Sequence, residues 1–394
     1  MKKIRLTIAI IFASVICKSQ WTQVNNGLTA NYVTSIINVG TNLFAGTNFG
    51  IFLSTDNGNS WTATNTGLTN TNVLLLGTEG TNIFASTIGM SLSTNNGSNW
   101  LPINTGLTND TVISLAISGN KIFAGTYKGV FLSTNNGSTW TAAGLTGINI
   151  ASLATDGVNT FAGTSGGVYL SANDGGSWAP VNAGLTIASR IQSLGIFGTT
   201  VFAGNSTGFL FTSSNNGNNW AAASNGLIAI GSPIFSFAKS GTSIFAGGGT
   251  GVFLSTNNGN NWITVDSGLT DMHVQQLAIN GTDLFAATYG GGIFRRPLSE
   301  MTSISEITNP ESLTLYPNPA TTSFTIESTN KIQSIKVVDI IGNEILSFDK
   351  LRMTQSETVD VSGIAKGIYF VQITVDSAGS PTNKNVINKK IVVQ

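Results

Sequence analysis

Ser54-Thr55-Asp56-Asn57-Gly58-Asn59-Ser60-Trp61 recurs in close variants that end at Trp100, Trp140, Trp178, Trp220 and Trp262. The chemistry of such a stretch is local. An Asp or Asn at its third position bonds backbone amides just ahead, and Gly58 and its equivalents supply a left-handed backbone. The tryptophan covers the hairpin with apolar area and keeps its N–H for a partner. With Trp21 the tryptophans form a ladder of seven, spaced 40, 39, 40, 38, 42 and 42 residues apart. A Gly-Leu pair follows each one, from Gly27-Leu28 to Gly268-Leu269. A Phe-Ala pair recurs at Phe44, Phe84, Phe123, Phe161, Phe202, Phe245 and Phe285. Three markers on one period of about 40 residues identify a repeat array.

Each unit reads as four short strands. In the third unit these are Thr111 to Ser118, Lys121 to Thr126, Gly129 to Ser133 and Thr139 to Ala142, separated by turn residues. Four strands in about 40 residues make a propeller blade. A β-helix would have shorter rungs, and a leucine-rich repeat would show a leucine ladder. The fold class is therefore all-β, with a seven-bladed β-propeller over residues 20–296. The recurrent Phe is expected to fill the core between blades, with Ala and Gly allowing close approach. The seventh unit lacks its Trp strand, and Trp21 stands on such a strand with no unit before it. Closure is therefore expected to place Trp21 in the sheet that holds Phe294, which removes an exposed sheet edge.

The repeated turn resembles the Asp-box, or bacterial neuraminidase repeat: Ser/Thr, any, Asp, any, Gly, any, any, Trp. Its structural residues here are Ser54, Asp56, Gly58 and Trp61, with Trp100, Trp140, Trp178, Trp220 and Trp262. The third position is Asp at Asp56 and Asn at Asn95, Asn135, Asn173, Asn215 and Asn257. Asn can hold the turn without charge, but it weakens any calcium role. The resemblance implies a propeller of the kind found in sialidases, sortilin-like receptors and photosystem assembly-factor-like proteins. It implies no one function among them.

Composition narrows the classes. Charged residues make up 9% of 394, with 18 Lys and Arg against 18 Asp and Glu. A typical soluble protein has about 25%. A neutral chain lacks the basic footprint of a nucleic-acid binder. One Cys and one His exclude a disulfide scaffold and make a zinc site of His and Cys untenable. No cofactor, no metal and no transmembrane segment are expected, and the chain is expected to be a monomer.

A sialidase-like site needs three converging arginines. Arg190, Arg295 and Arg296 are the propeller's three, and the last two point to opposite faces of a strand. Two carboxylates across a cleft would serve another glycosidase. Asp271, with His273 beside it, is the best acid–base candidate, and Asp110 stands nearly across the ring. Strand direction places the blade-to-blade loops and the second-to-third strand turns on one face, with the Asp-boxes on the other. The candidate ligand-binding residues on the first face are Tyr32, Phe49, Tyr127, Lys128, Asp271, His273 and Tyr289. The expected function is non-enzymatic binding or adhesion to an extracellular glycan or protein. The alternatives are a glycoside hydrolase of the sialidase-like kind and a structural surface protein.

The chain's ends carry an address. Lys2, Lys3 and Arg5 precede the apolar run Leu6 to Ile16, which reads as a signal peptide over residues 1–19. Lipidation of Cys17 is the rival reading, opposed by bulky Ile16 where such signals carry a small residue. After a polar linker at 297–311, alternating strands read as a small Ig-like β-sandwich. It opens with Tyr316-Pro317-Asn318-Pro319, carries Asp339 and Gly342 in an Asp-x-x-Gly turn, then Gly367-Ile368-Tyr369-Phe370-Val371, and closes with Lys389-Lys390-Ile391-Val392-Val393. These motifs resemble the C-terminal sorting domain of the type IX secretion system of Bacteroidetes, over residues 312–394. The resemblance implies that this domain meets the secretion machinery after passage through the periplasm. It also implies a cargo released into the medium or attached to the outer surface.

Overall fold

The computed structural model describes residues 20–108, 111–185, 190–227, 231–302, 313–328, 331–339, 343–349, 355–377 and 380–394. The signal segment, Asp110 and Gly342 lie outside the described residues. The chain divides into two compact units, one ending at Thr302 and one beginning at Ser303.

The first unit holds seven four-stranded antiparallel sheets. Blade 3 shows the pattern, with strands Val112–Ser118, Lys121–Thr126, Gly129–Ser133 and Thr141–Ala142. The outer strands have only two residues each, shorter than the four expected at Thr139 to Ala142. Blade 7 is completed by the start of the described chain. Thr22 pairs with Arg295 and Gln23 with Phe294, so the first strand closes the last sheet. The unit also runs past residue 296, where the linker was expected to begin. Its last strand reaches Pro297, and a short helix, Ser299–Thr302, buries Met301 in the cluster that holds Trp21.

The core lies between blades rather than within them. The Phe of one blade shares a cluster with the Trp of the next: Phe44 with Trp100, Phe84 with Trp140, Phe161 with Trp220 and Phe285 with Trp61. The indole N–H does not stay on its own hairpin. All seven donate to a backbone carbonyl in the preceding blade at 2.7–2.9 Å, for example Trp61 to Val24 and Trp21 to Val265. The Gly-Leu pair follows from this approach. Gly106 has φ 93°, and a Cβ there would run into the Trp140 carbonyl oxygen.

A second set of links runs round the inner strands. Ser114 donates to the carbonyl of Ile150, Ser152 to Ile191 and Ser193 to Ile234, each one blade on. Ser35 and Ser236 instead accept the amides of Leu76 and Leu277. Between blades 7 and 1, the Gln276 carboxamide oxygen accepts from Ser35 at 2.6 Å and from the Ile36 amide at 3.1 Å. Buried backbone groups that face a neighbouring blade are thereby paired.

The Asp-box turns show why Asn replaces Asp freely. Ser54 Oγ donates to Asp56 Oδ1 and accepts the Gly58 amide, and the Ser60 amide also donates to Oδ1. The Asn135 turn keeps all three bonds: Asn135 Oδ1 accepts from Ser133 Oγ and the Thr139 amide, and Ser133 Oγ accepts the Gly137 amide. The second oxygen is where they differ. Asp56 Oδ2 accepts from Ser60 Oγ, whereas Asn135 Nδ2 donates to Thr139 Oγ1.

The Asp56 carboxyl is held at about 2, below its ordinary 3.8, by the Ser60 hydroxyl and amide and the Ser54 hydroxyl. A depressed carboxylate contributes stability that is present above its unfolded value and lost as pH falls through the folded one. Asp56→Asn is expected to remove that dependence. Between about pH 4 and pH 2 the wild type should lose melting temperature relative to the variant. A constant gap between their melts across that window would contradict the assignment.

The second unit is a sandwich of a three-stranded and a four-stranded sheet. The first contains Leu313–Tyr316, Ser323–Ser328 and Ser356–Asp360; the second runs in the order Glu344–Asp349, Ile332–Val338, Gly367–Ser377 and Ser380–Val393. Its own core includes Phe324, Ile335, Val371, Ile373 and Ile391.

Candidate binding face and the C-terminal clasp

The turns between second and third strands differ sharply round the ring. Blades 7, 1, 2 and 3 present Tyr289, Phe49, Ile88 and Tyr127, exposed at 53, 61, 76 and 55%. Blades 4, 5 and 6 present Ser165-Gly166, Ser206-Thr207-Gly208-Phe209 and Gly249-Thr250, with Phe209 half-buried against the core. The four apolar turns are contiguous, so they form a crescent on one side of the face. The turns are fixed from below. Thr47 Oγ1 donates to the Gly50 carbonyl and accepts the Phe49 amide, and Thr126 does the same with Gly129 and Lys128.

The structure brings three of the candidates together. Tyr32 packs on Tyr289 with ring centroids 4.3 Å apart, and His273 lies 5.2 Å from Tyr289. Phe235, which the sequence reading passed over, stacks on His273 at 5.1 Å and 20°. A row of four rings thus crosses blades 6, 7 and 1. Burial pushes the Tyr32 phenol up, with Tyr289 adding to the effect. Phe49, Tyr127 and Lys128 stand apart from this row, farther along the crescent. Ile88, which the sequence reading did not single out, stands alone in a turn one residue shorter than those of blades 1 and 3.

Asp271 is engaged by the backbone. Its Oδ2 accepts the Gly290 and Gly291 amides at 2.5 and 2.8 Å, and its Oδ1 accepts the His273 amide at 3.0 Å. Burial pushes the carboxyl up, but these amides and the Thr288 hydroxyl outweigh it and hold the group below the ordinary carboxylate value. Asp271 therefore braces the Tyr289 turn, and the acid–base pairing with His273 finds no geometric support. The three arginines also part company. Arg295 donates to Asn57 and Asn59 of the first box turn, Arg296 is buried and donates to the Val265 carbonyl, and Arg190 reaches Asn149.

In the second unit the Tyr-Pro-Asn-Pro segment holds the final strand. The Asn318 side chain donates to the Lys390 carbonyl at 2.9 Å and accepts the Val392 amide at 3.0 Å. Ala320 then donates to Val392, and Gln394 donates back to Ala320. Asn318 and Ala320 thus close the outer edge of the strand Ser380–Val393 at its end. Tyr316 bonds Glu327, and the buried Tyr369 donates to the Ala365 carbonyl. Asp339 closes its turn by accepting the Asn343 amide at 2.9 Å.

Residues 314–394 match the family of secretion system C-terminal sorting domains. This part of the chain is a sorting domain. It sends the chain through type IX secretion to the cell surface or the medium. No curated protein sequence matches the chain. Among solved structures the chain is similar to the extracellular domain of a putative one component system, BT4673, from B. thetaiotaomicron. That match has 15% identity and TM-score 0.61, over 92% of this chain and 53% of the other. YCF48 bound to D1 peptide is similar at 16% identity and TM-score 0.58, over 71% of this chain and 97% of the other. PorZ of Porphyromonas gingivalis, a bacterial surface component of the type-IX secretion system, is similar at 14% and TM-score 0.54, over 94% and 60%. The chain spans about half the length of the BT4673 domain it matches. Ahead of the sorting domain the likeness is one of fold. No helix among the described residues is long and apolar enough to cross a membrane.

Proposed function

We propose that the propeller is an exported, non-enzymatic binding or adhesion module that takes an extracellular glycan or protein on the face opposite the Asp-boxes. The observation that carries this reading is the crescent of Tyr289, Phe49, Ile88 and Tyr127 on four contiguous blades. A soluble surface rarely groups exposed apolar residues without an interaction to serve. Variable side chains on braced turns are where a site can be built on a fixed scaffold. That one propeller of this fold was solved with a peptide bound supports the capacity of such a ring to hold a ligand. The occupied carboxylate of Asp271 favours binding over hydrolysis.

The test is an array of glycans and extracellular proteins probed with the mature chain. Tyr127→Ala and Tyr289→Ala are each expected to weaken the interaction found by about 1–3 kcal/mol, as for an interface anchor. Asn135→Ala, on the opposite face, should leave affinity unchanged. The reverse pattern, with both proteins folded, would place the ligand on the Asp-box side.

A further inference from the structure

A cavity of about 430 Å³ lies at the axis of the propeller, walled by the inner strands of blades 2 to 7. We propose that it binds a neutral saccharide, with the Phe235 ring as stacking surface and the Gln192 carboxamide as hydrogen-bonding group. The proposal rests on the reading of the propeller as a binding module and adds to it a second site, apart from the crescent, with a ligand class of its own.

The wall's polar groups decide the chemistry. Ser114, Ser152 and Ser193 line the cavity, but their hydroxyls are engaged between blades, and Gln276 holds Ser35. Gln192 is different. Gln192 lines the cavity, and its carboxamide makes no hydrogen bond to any described residue. A carboxamide offers one acceptor and two donors, which matches a pair of neighbouring sugar hydroxyls. Phe235, on the next blade, also lines the cavity. Its ring stacks on the imidazole of His273, whose backbone amide the Asp271 carboxylate accepts. A fixed aromatic ring accepts the C–H face of a pyranose, and Leu115 and Leu153 add apolar wall.

Charge sets the exclusion. Among the described residues that line the cavity, none is charged. A carboxylate moved there would lose its hydration without a cation to replace it. Acidic sugars such as sialic acid should therefore be rejected. The volume lies toward the small end of ligand sites, which run from about 300 to 1,000 Å³, and suits one or two sugar rings.

The experiment is calorimetric titration of the full mature chain with glucose, N-acetylglucosamine, cellobiose, maltose, lactose and 3′-sialyllactose. At least one neutral sugar is expected to bind with Kd below about 10 mM, and 3′-sialyllactose at least about tenfold more weakly. Gln192→Ala and Phe235→Leu are each expected to weaken the neutral sugar about tenfold, at unchanged melting temperature. The proposal is overturned if no neutral sugar binds, if the sialylated sugar binds as tightly, or if both folded variants keep full affinity. Phe49→Ala with Tyr127→Ala separates the two readings. Unchanged sugar affinity in that pair supports the axial site. A loss there moves the sugar to the crescent, which ends this proposal and leaves the binding reading standing.

Discussion

A chain cut before residue 312 is expected to fold and to stay in the periplasm. The expectation joins two observations. The sorting domain has a hydrophobic core of its own, built from Phe324, Ile335, Val371 and Ile391. The propeller's clusters have their own members, and among the described residues the last of these is Met301. Removing the domain should therefore leave the melt of the propeller in place while export falls to background. Fractionation of the native host, with surface proteolysis of intact cells, reads the second half; a melt of the purified truncated protein reads the first. Surface display of the truncated chain at the wild-type level would refute the sorting role. A collapsed melt would refute independent folding.

The largest stability effect is expected at the inter-blade tryptophans. Trp100 is 1% exposed and packs against Phe44 of the preceding blade. Its indole also donates to the Thr64 carbonyl at 2.8 Å. Trp100→Ala should cost about 3–5 kcal/mol, through lost burial and the cavity left behind. Trp100→Phe restores most of the apolar area but leaves the Thr64 carbonyl without its donor, a loss of about 1–3 kcal/mol. Domain stabilities are only about 5–15 kcal/mol, so the alanine change alone removes a large share. Urea unfolding of both variants measures this. If phenylalanine matches the wild type, the indole hydrogen bond adds nothing and packing alone joins the blades.

The fold was legible because its determinants repeat. Trp, Gly-Leu and Phe-Ala each mark a position where two blades meet, and seven copies reinforce the signal. The reason for each was less legible. Gly106 is set by a carbonyl in the next blade, and the Trp140 N–H by a carbonyl in the previous one. A single unit, read alone, contains neither partner. The serines at Ser35, Ser114, Ser152, Ser193 and Ser236 were visible as a repeat but sat inside strands read as apolar packing. Their signal was the recurrence of a hydroxyl where Ala or Val would pack as well.

The candidate site was legible in part. Turn residues such as Tyr127 and Tyr289 could be placed on a face by strand parity alone. Their companions could not. Phe235 and Gln192 lie on inner strands, and only the closed ring shows that these strands wall a space. Asp271 carried the right side chain for catalysis, but two glycine amides arriving from a turn 20 residues away make it a brace.

The seam of the ring bears on how such a protein changes over generations. Closure joins a lone strand, Thr22–Gln23, to three strands from the far end of the array, whereas each of the other six sheets is built of four strands consecutive in the chain. A whole repeat duplicated or lost between those ends leaves the seam residues untouched. Each new neighbour also arrives with the indole and glycine that its junctions require. Ring size is thus open to unequal recombination within the coding sequence, while the turns that differ from blade to blade diverge independently by point mutation.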